Sequence, residues 1–247
     1  MPDKKVVVVI QARMGSTRRP GKSMADLAGK PLLWQFLQRV KRAKEPDELV
    51  LATTDKPQDD VLADLARGCG VSVFRGSEND LVDRYYQAAK AHGARIVVRI
   101  CADNPVVEPE EVDRIIRFHK EGGSDFSSNT HNILDNQYPD GLGAEVFDFE
   151  KLTEVWREAT SPANREHPHS WFYEHPERYR IGTVACPPEF RRPELKLDVN
   201  LPEELDFLRA IYEYCYPRNP EFHITDIIRW YDTVYLPGRC AAKPPAP

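Results

Sequence analysis

Residues Val6 to Ile10 are five consecutive β-branched residues, and they run directly into Gln11-Ala12-Arg13-Met14-Gly15-Ser16-Thr17-Arg18-Arg19-Pro20-Gly21-Lys22. A continuous apolar run without polar alternation fits a strand buried on both faces, as in a parallel sheet. The loop after it lies at the carboxyl end of that strand, where open α/β sheets bind ligands. Its small residues, backbone N–H donors and interleaved cations suit a polyphosphate. The bland alternative is a solvated basic loop joining a strand to a helix.

Gly21-Lys22-Ser23 matches the end of the P-loop pattern G-x-x-x-x-G-K-[ST]. The first glycine is out of register, however: Ser16 stands where it is needed, and Gly15 is one position early. A P-loop helix also begins at the Lys-Ser pair, with its N-terminus on the phosphates. Here residues 24–30 intervene, and the helix is expected to start with Pro31 at its first position, followed by Leu33, Phe36, Leu37 and Val40 at helical spacing. The spacing disfavours a P-loop.

At 247 residues the chain is long enough for one large α/β domain or a main domain with an insertion. A formal charge of −5 argues against general nucleic-acid binding. No apolar run approaches the ~20 residues of a membrane span, and no signal-peptide pattern is visible. Cys69, Cys101, Cys186, Cys215 and Cys240 form no C-x-x-C pair, as expected of reduced thiols in a cytoplasmic protein.

Strands are expected at 49–53, 71–74 and 95–100, alternating with helices at 59–67, 80–91 and 109–121. Strict alternation of this kind implies right-handed crossovers and a parallel sheet. After Ser124 the pattern changes. Strands at 125–130, 144–147 and 180–185, with helices near 149–160 and 166–175, suggest a mixed or antiparallel extension. A short strand at 195–199 and a helix at 202–212 are expected to return to the main body. The organisation expected is a single domain over 1–235, with 125–190 as the extension and 236–247 as a disordered tail.

Two aspartates stand where a metal would be wanted. Asp103 follows the strand ending at Ile100, and Asp198 lies in LKLDVN at the end of another apolar segment. Mg²⁺ takes one or two carboxylates together with phosphate oxygens and water. Alternatively, Asp103 caps a turn before Pro105 and Asp198 caps the helix at Pro202. His167-Pro168-His169, with His175 beyond, matches no zinc spacing and reads instead as an ordinary helix start near residues 164–167. Trp156, Trp171, Phe172 and Tyr173 suit either a dimer surface or the core.

The motifs QARMGSTRRPGK, AGKPLL, LATTD, FRGSENDLVDRYYQAA, VVRICADNP and YPDGLGAEVF together resemble the bacterial cytidylyltransferases of surface-polysaccharide synthesis. These are the spore-coat polysaccharide biosynthesis protein F group and, more distantly, the acylneuraminate and 3-deoxy-manno-octulosonate cytidylyltransferases. The resemblance extends to about Tyr212. Arg19 and Ser23 depart from it, since the family usually has an apolar residue at the first position and a larger apolar residue or proline at the second. It implies an α/β, Rossmann-like (GT-A-like) nucleotide-diphospho-sugar transferase sheet, mostly parallel. It also implies a homodimer, the substrates CTP and a small anionic acceptor, and Mg²⁺.

By the same resemblance, Arg13 and Lys22 contact the triphosphate and carry catalysis, with Ala12, Met14, Gly15, Ser16 and Arg18 alongside. Thr53, Asp80, Arg84 and Ala102 lie near the nucleotide, and the metal aspartates map onto Asp103 and Asp198. Tyr138, Asp140, Gly143 and Glu145 fall on the acceptor side, Glu145 being the candidate base if a sugar hydroxyl attacks. Residues 138–141 also fit a plain β-turn. Arg165 and His167 belong to an R-E-H element that reaches the site or a partner subunit. A kinase, a GT-A glycosyltransferase and a non-catalytic nucleotide-binding regulator remain the competing readings.

Overall fold

The computed structural model describes residues 4–16, 19–131 and 133–241. Arg18 therefore lies outside the described residues.

The apolar run forms β1 (Val6–Gln11), and its burial explains its composition. Val6, Val8 and Ile10 enter one core, while Val7 and Val9 enter another on the opposite face. Side chains alternate across a strand, so apolar residues at every position are needed when both faces are covered. The next segment folds into a small hairpin, β2 (Asp26–Leu27) and β3 (Lys30–Pro31). Ala28 (φ 54°) and Gly29 (φ 77°) form its turn, as a two-residue connection requires. Helix α1 (Leu32–Val40) starts one residue later than expected, with Pro31 as the flanking residue.

The strands β4 (Glu48–Thr54), β5 (Ser72–Gly76) and β6 (Ile96–Cys101) alternate with α2 (Asp60–Gly68), α3 (Leu81–Ala91) and α4 (Pro109–Lys120). Next come β7 (Phe126–Ser128), β8 (Glu145–Asp148), α5 (Phe149–Glu158), α6 (Pro162–Glu166), α7 (Pro168–Glu174) and β9 (Ile181–Gly182). One seven-stranded sheet has the order β5-β4-β1-β6-β8-β7-β9. Its first four strands are parallel, and β8 joins β6 antiparallel, which is the mixed extension expected. The chain steps outward from β1 through β4 to β5, then crosses back to lay β6 on the other side of β1. The loops leaving β1 and β6 are thus neighbours at a topological switch point, the place where such sheets bind ligands.

Helices α1, α2 and α4 cover one face through Leu33, Phe36, Leu62, Ala66, Val112 and Ile116, among others. The opposite face is covered by α3, α5 and α7, where Trp171 and Phe172 are core residues rather than surface. A third core joins the hairpin to α8 (Pro202–Cys215) and α9 (Ile224–Trp230). No strand forms at 195–199. Leu195, Leu197 and Val199 are buried in the third core, yet only one bridge, Asp140 to Lys196, pairs this segment. Alternating burial mimicked a strand without a ladder.

The expected helix over 166–175 is split. Pro168 opens α7, so His167 is held out of helical geometry (φ −128°, ψ 80°) and ends α6 instead of starting a helix. The expected tail is helical as far as it is described: a π turn (Tyr231–Tyr235) leads from α9 into α10 (Leu236–Ala241). Among the described residues no helix is long and apolar enough to cross a membrane.

Candidate active site

The loop after β1 is fastened at both ends. Met14 N–H donates to Asp59 Oδ1 at 2.7 Å, and Thr54 at the end of β4 donates to the other oxygen of Asp59 through its N–H (3.3 Å) and its hydroxyl. Asp59 sits just before α2 but caps nothing there, because its carboxylate is fully used by the loop and by β4. Further on, Gly21 N–H returns to Met14 C=O at 2.9 Å, and Gly21 adopts φ +75°, which a side chain would strain. That turn delivers Lys22. Its ammonium donates to Asp103 Oδ2 at 2.8 Å and to Val199 C=O at 2.7 Å.

A cavity of about 390 Å³ opens between the loops after β1 and β6, the start of α3 and the α6–α7 junction. Of the residues expected at a nucleotide site, Ala12, Arg13, Ser16, Lys22, Arg84, Ala102 and Asp103 line it, as does His167. Arg84 is buried, donates to Ser77 C=O at 2.7 Å and leaves its Nε without a partner. Burial, reinforced by the charge of nearby Arg13, pushes the Arg84 guanidinium down. Two cations this close, one with an unused donor, suit an anion between them.

Opposite them is a group of carboxylates. Val199 N–H bonds Asp103 C=O at 2.9 Å, fixing Asp198 against the loop after β6. Residue 140 is tied to the same segment by Asp140 N–H to Leu195 C=O (3.0 Å) and Leu197 N–H to Asp140 C=O (3.1 Å). Burial, then the charges of Asp140, Glu204 and Asp103, push Asp198 up to about 6. Carboxylates from separate loops thus act together on Asp198, a crowding of negative charge that a cation would relieve. Asp198 caps no helix; α8 is capped by the Glu204 carboxylate, which accepts from the N–H groups of Asn200 and Leu201.

Several expected residues do other work. Met14 contributes its backbone, and Gly15 fits between Gln58 and Glu78, where an added Cβ would sit 3.1 Å from each. Thr53 is fully buried in β4 and does not line the cavity. Asp80 caps α3 through Asp83 N–H (2.8 Å) and is bound by Arg165, so both members of that pair brace the cavity rim without lining it. Tyr138 is fully buried, its hydroxyl bonded to the Glu111 carboxylate and accepting from Arg114 at 2.9 Å. Its hydroxyl is thereby committed to these two partners. Asp140 is one of the charges acting on Asp198, and Gly143 provides close backbone packing on Asn129. Glu145 lies opposite Arg99 in the β6–β8 register, paired with it at 2.8 Å. Gln11, Glu78, Asn79 and Glu166 also line the cavity and carried no distinguishing signal in the sequence.

Comparison with known proteins agrees with this geometry. A cytidylyltransferase family model matches residues 7–219. The chain belongs to the cytidylyltransferase family. It is a CTP-dependent nucleotidyltransferase. It is 34% identical over 228 residues to the spore coat polysaccharide biosynthesis protein SpsF of Bacillus subtilis, covering 90% of this chain and 92% of that one. Over 113 residues it is 38% identical to the 3-deoxy-manno-octulosonate cytidylyltransferase of Anaeromyxobacter dehalogenans, covering 45% and 46%. A solved cytidylyltransferase structure from Leptospira borgpetersenii superposes with a TM-score of 0.87 at 29% identity, covering 99% of this chain and all of that one.

Proposed function

We propose that this cytidylyltransferase joins CTP to an anionic sugar acid or similar metabolite, giving a CMP-activated product and pyrophosphate. The observation that carries the reading is the Lys22–Asp103 pair inside the cavity at the switch point, with Arg13 and Arg84 alongside. Arg13 and Arg84 would hold the triphosphate, and Lys22 would follow the charge that develops as the α-phosphorus bond to pyrophosphate breaks. An acceptor oxygen attacks that phosphorus in line, and the protein contributes chiefly position and charge neutralisation. Asp103 and Asp198 would hold Mg²⁺, which when bound polarises the α-phosphate. His167 at the cavity rim contacts the incoming substrates, while Arg165 positions it through the brace to Asp80. A homodimer, as the family resemblance implies, and a cytoplasmic setting, consistent with the free thiols of Cys69, Cys101, Cys186 and Cys215, complete the proposal.

Lys22→Ala tests it. Pyrophosphate release from CTP with a sugar-acid acceptor is expected to fall ~10²–10³-fold, the usual cost of losing one transition-state donor. Unchanged release would remove Lys22 from the chemistry.

A further inference from the structure

Away from the reaction cavity, the start of α4 faces the start of α9, and Glu108, Glu110 and His223 meet there. Glu108 stands just before the first turn of α4, yet its side chain does not cap that helix. Its Oε2 instead accepts from the Ile224 N–H of α9 at 2.8 Å. Its Oε1 is 3.0 Å from His223 Nδ1, and the same nitrogen is 3.7 Å from Glu110 Oε2. The three ligand atoms lie within 4.8 Å of one another.

A separate observation shows that Glu108 is short of negative charge as it stands. Arg39 Nη2, on a side chain only 5% exposed, faces Glu108 Oε2 at 3.6 Å and has no hydrogen-bond partner. Buried polar groups are nearly always satisfied, so this one calls for an explanation. Burial, and then the Glu110 carboxyl, push Glu108 toward its protonated form, which is a weak acceptor for a guanidinium. A cation on Oε1 keeps the carboxylate ionised and leaves Oε2 to take the waiting Arg39 donor. Ligating carboxylates are commonly oriented by such hydrogen bonds from behind.

The donor set and spacing select the ion. One imidazole with two carboxylates suits a borderline cation such as Zn²⁺, whereas Mg²⁺ favours oxygen alone. Zn–N and Zn–O bonds of about 2.1 Å give a tetrahedral edge of roughly 3.4 Å, which the separations of 3.0 and 3.7 Å bracket. His223 and Glu110 are exposed, so the ion has a way in and water can complete its coordination.

We propose that Glu108, Glu110 and His223 bind Zn²⁺ at a site separate from the reaction centre. Glu108 is the buried, fixed ligand; Glu110 and His223 close on the ion from the surface. The ion fastens α4, whose Val112 belongs to the first core, to α9, whose Ile224 and Ile227 belong to the third. This structural role does not depend on cytidylyl transfer. A plain hydrogen bond between His223 and Glu108 would make the same join without Glu110, so Glu110 separates the two readings.

The test is calorimetric titration of Zn²⁺ into the full-length protein with excess Mg²⁺ present. One saturable Zn²⁺ per chain is expected in the wild type. His223→Ala and Glu110→Gln are each expected to weaken it at least about tenfold, the range seen even for residues behind a metal's ligands. Asp198→Asn, at the reaction centre, is expected to leave it unchanged. Thermal unfolding reads the same site: Zn²⁺ should raise the Tm of the wild type and of Asp198→Asn, but not of the other two variants. The inference is overturned if the wild type shows no saturable Zn²⁺ site, or if either His223→Ala or Glu110→Gln binds as tightly as wild type. Loss of the site in Asp198→Asn would also overturn it, by placing the ion at the reaction centre.

Discussion

Asp198 is a carboxylate that gives up its proton less readily in the folded chain than in the unfolded one. Its value rises from 3.8 to about 6, first through burial and then through Asp140, Glu204 and Asp103. As pH climbs through that window the unfolded state loses the proton first, so folded stability falls and stays lowered above about 6. Asp198→Asn is therefore expected to raise the stability of the ligand-free protein at pH 7.5 by about 1 kcal/mol, after discounting for its partial exposure. The same change should abolish metal-dependent turnover. Urea unfolding beside a pyrophosphate assay checks both, and a less stable variant would contradict the electrostatic account. Asp59 shows the limit of reading residues one at a time. An acidic residue before a helix signals a cap, whereas here it holds a loop 45 positions away, through Met14. Lys22 and Asp103 each stood out because of their place after a strand; their 2.8 Å pairing across 81 residues came only with the fold.

Among the elements, β1 was legible because burial on both faces leaves a mark in every residue. The 195–199 segment misled for the complementary reason: its alternation reports burial against α8 and α9, and burial alone does not supply a partner strand. Helix α9 carried a local signal in His223 and Asp226, which cap its first turn, and in Ile224, Ile227 and Ile228 at helical spacing. The α6–α7 break was written in Pro168, since the residue before proline resists helical geometry. The YPDGL turn forms a close-packed junction with the 195–199 segment. Gly141 has φ +90°, and an added Cβ would lie 2.8 Å from the Leu197 backbone. Gly141→Ala is expected to cost about 2–4 kcal/mol, combining left-handed strain with a backbone clash. It should also weaken metal binding by shifting Asp140 away from Asp198. Thermal unfolding and Mn²⁺ titration measure the two effects; a variant as stable as wild type would show that the junction is looser than described.

On the scale of the whole molecule, two cores on opposite faces of one sheet hold the switch point open for a ligand, and a third core pins the 195–199 segment to it. His119 reports on this packing. It is buried, bonded through Nδ1 to Ser127 at 2.9 Å, and burial lowers its proton affinity. A base held below its unfolded value contributes stability that is fully present above about 6.5 and is lost as pH falls. Comparison of wild type with His119→Gln should therefore show a shallower decline for the variant below pH 6.5, by up to about 1.4 kcal/mol per pH unit for one proton. Parallel profiles would mean that His119 protonates as freely in the fold as outside it. Because Asp198 acts in the opposite sense, the difference between the two proteins is the quantity to read.

The central claim concerns which phosphorus is attacked. CTP labelled at the α- and γ-phosphates, incubated with the protein, Mg²⁺ and a polyhydroxylated sugar acid, decides it. The α-label is expected in the acceptor product, with the γ-label released as pyrophosphate in equal amount. Transfer of the γ-label to the acceptor with formation of CDP would contradict the account.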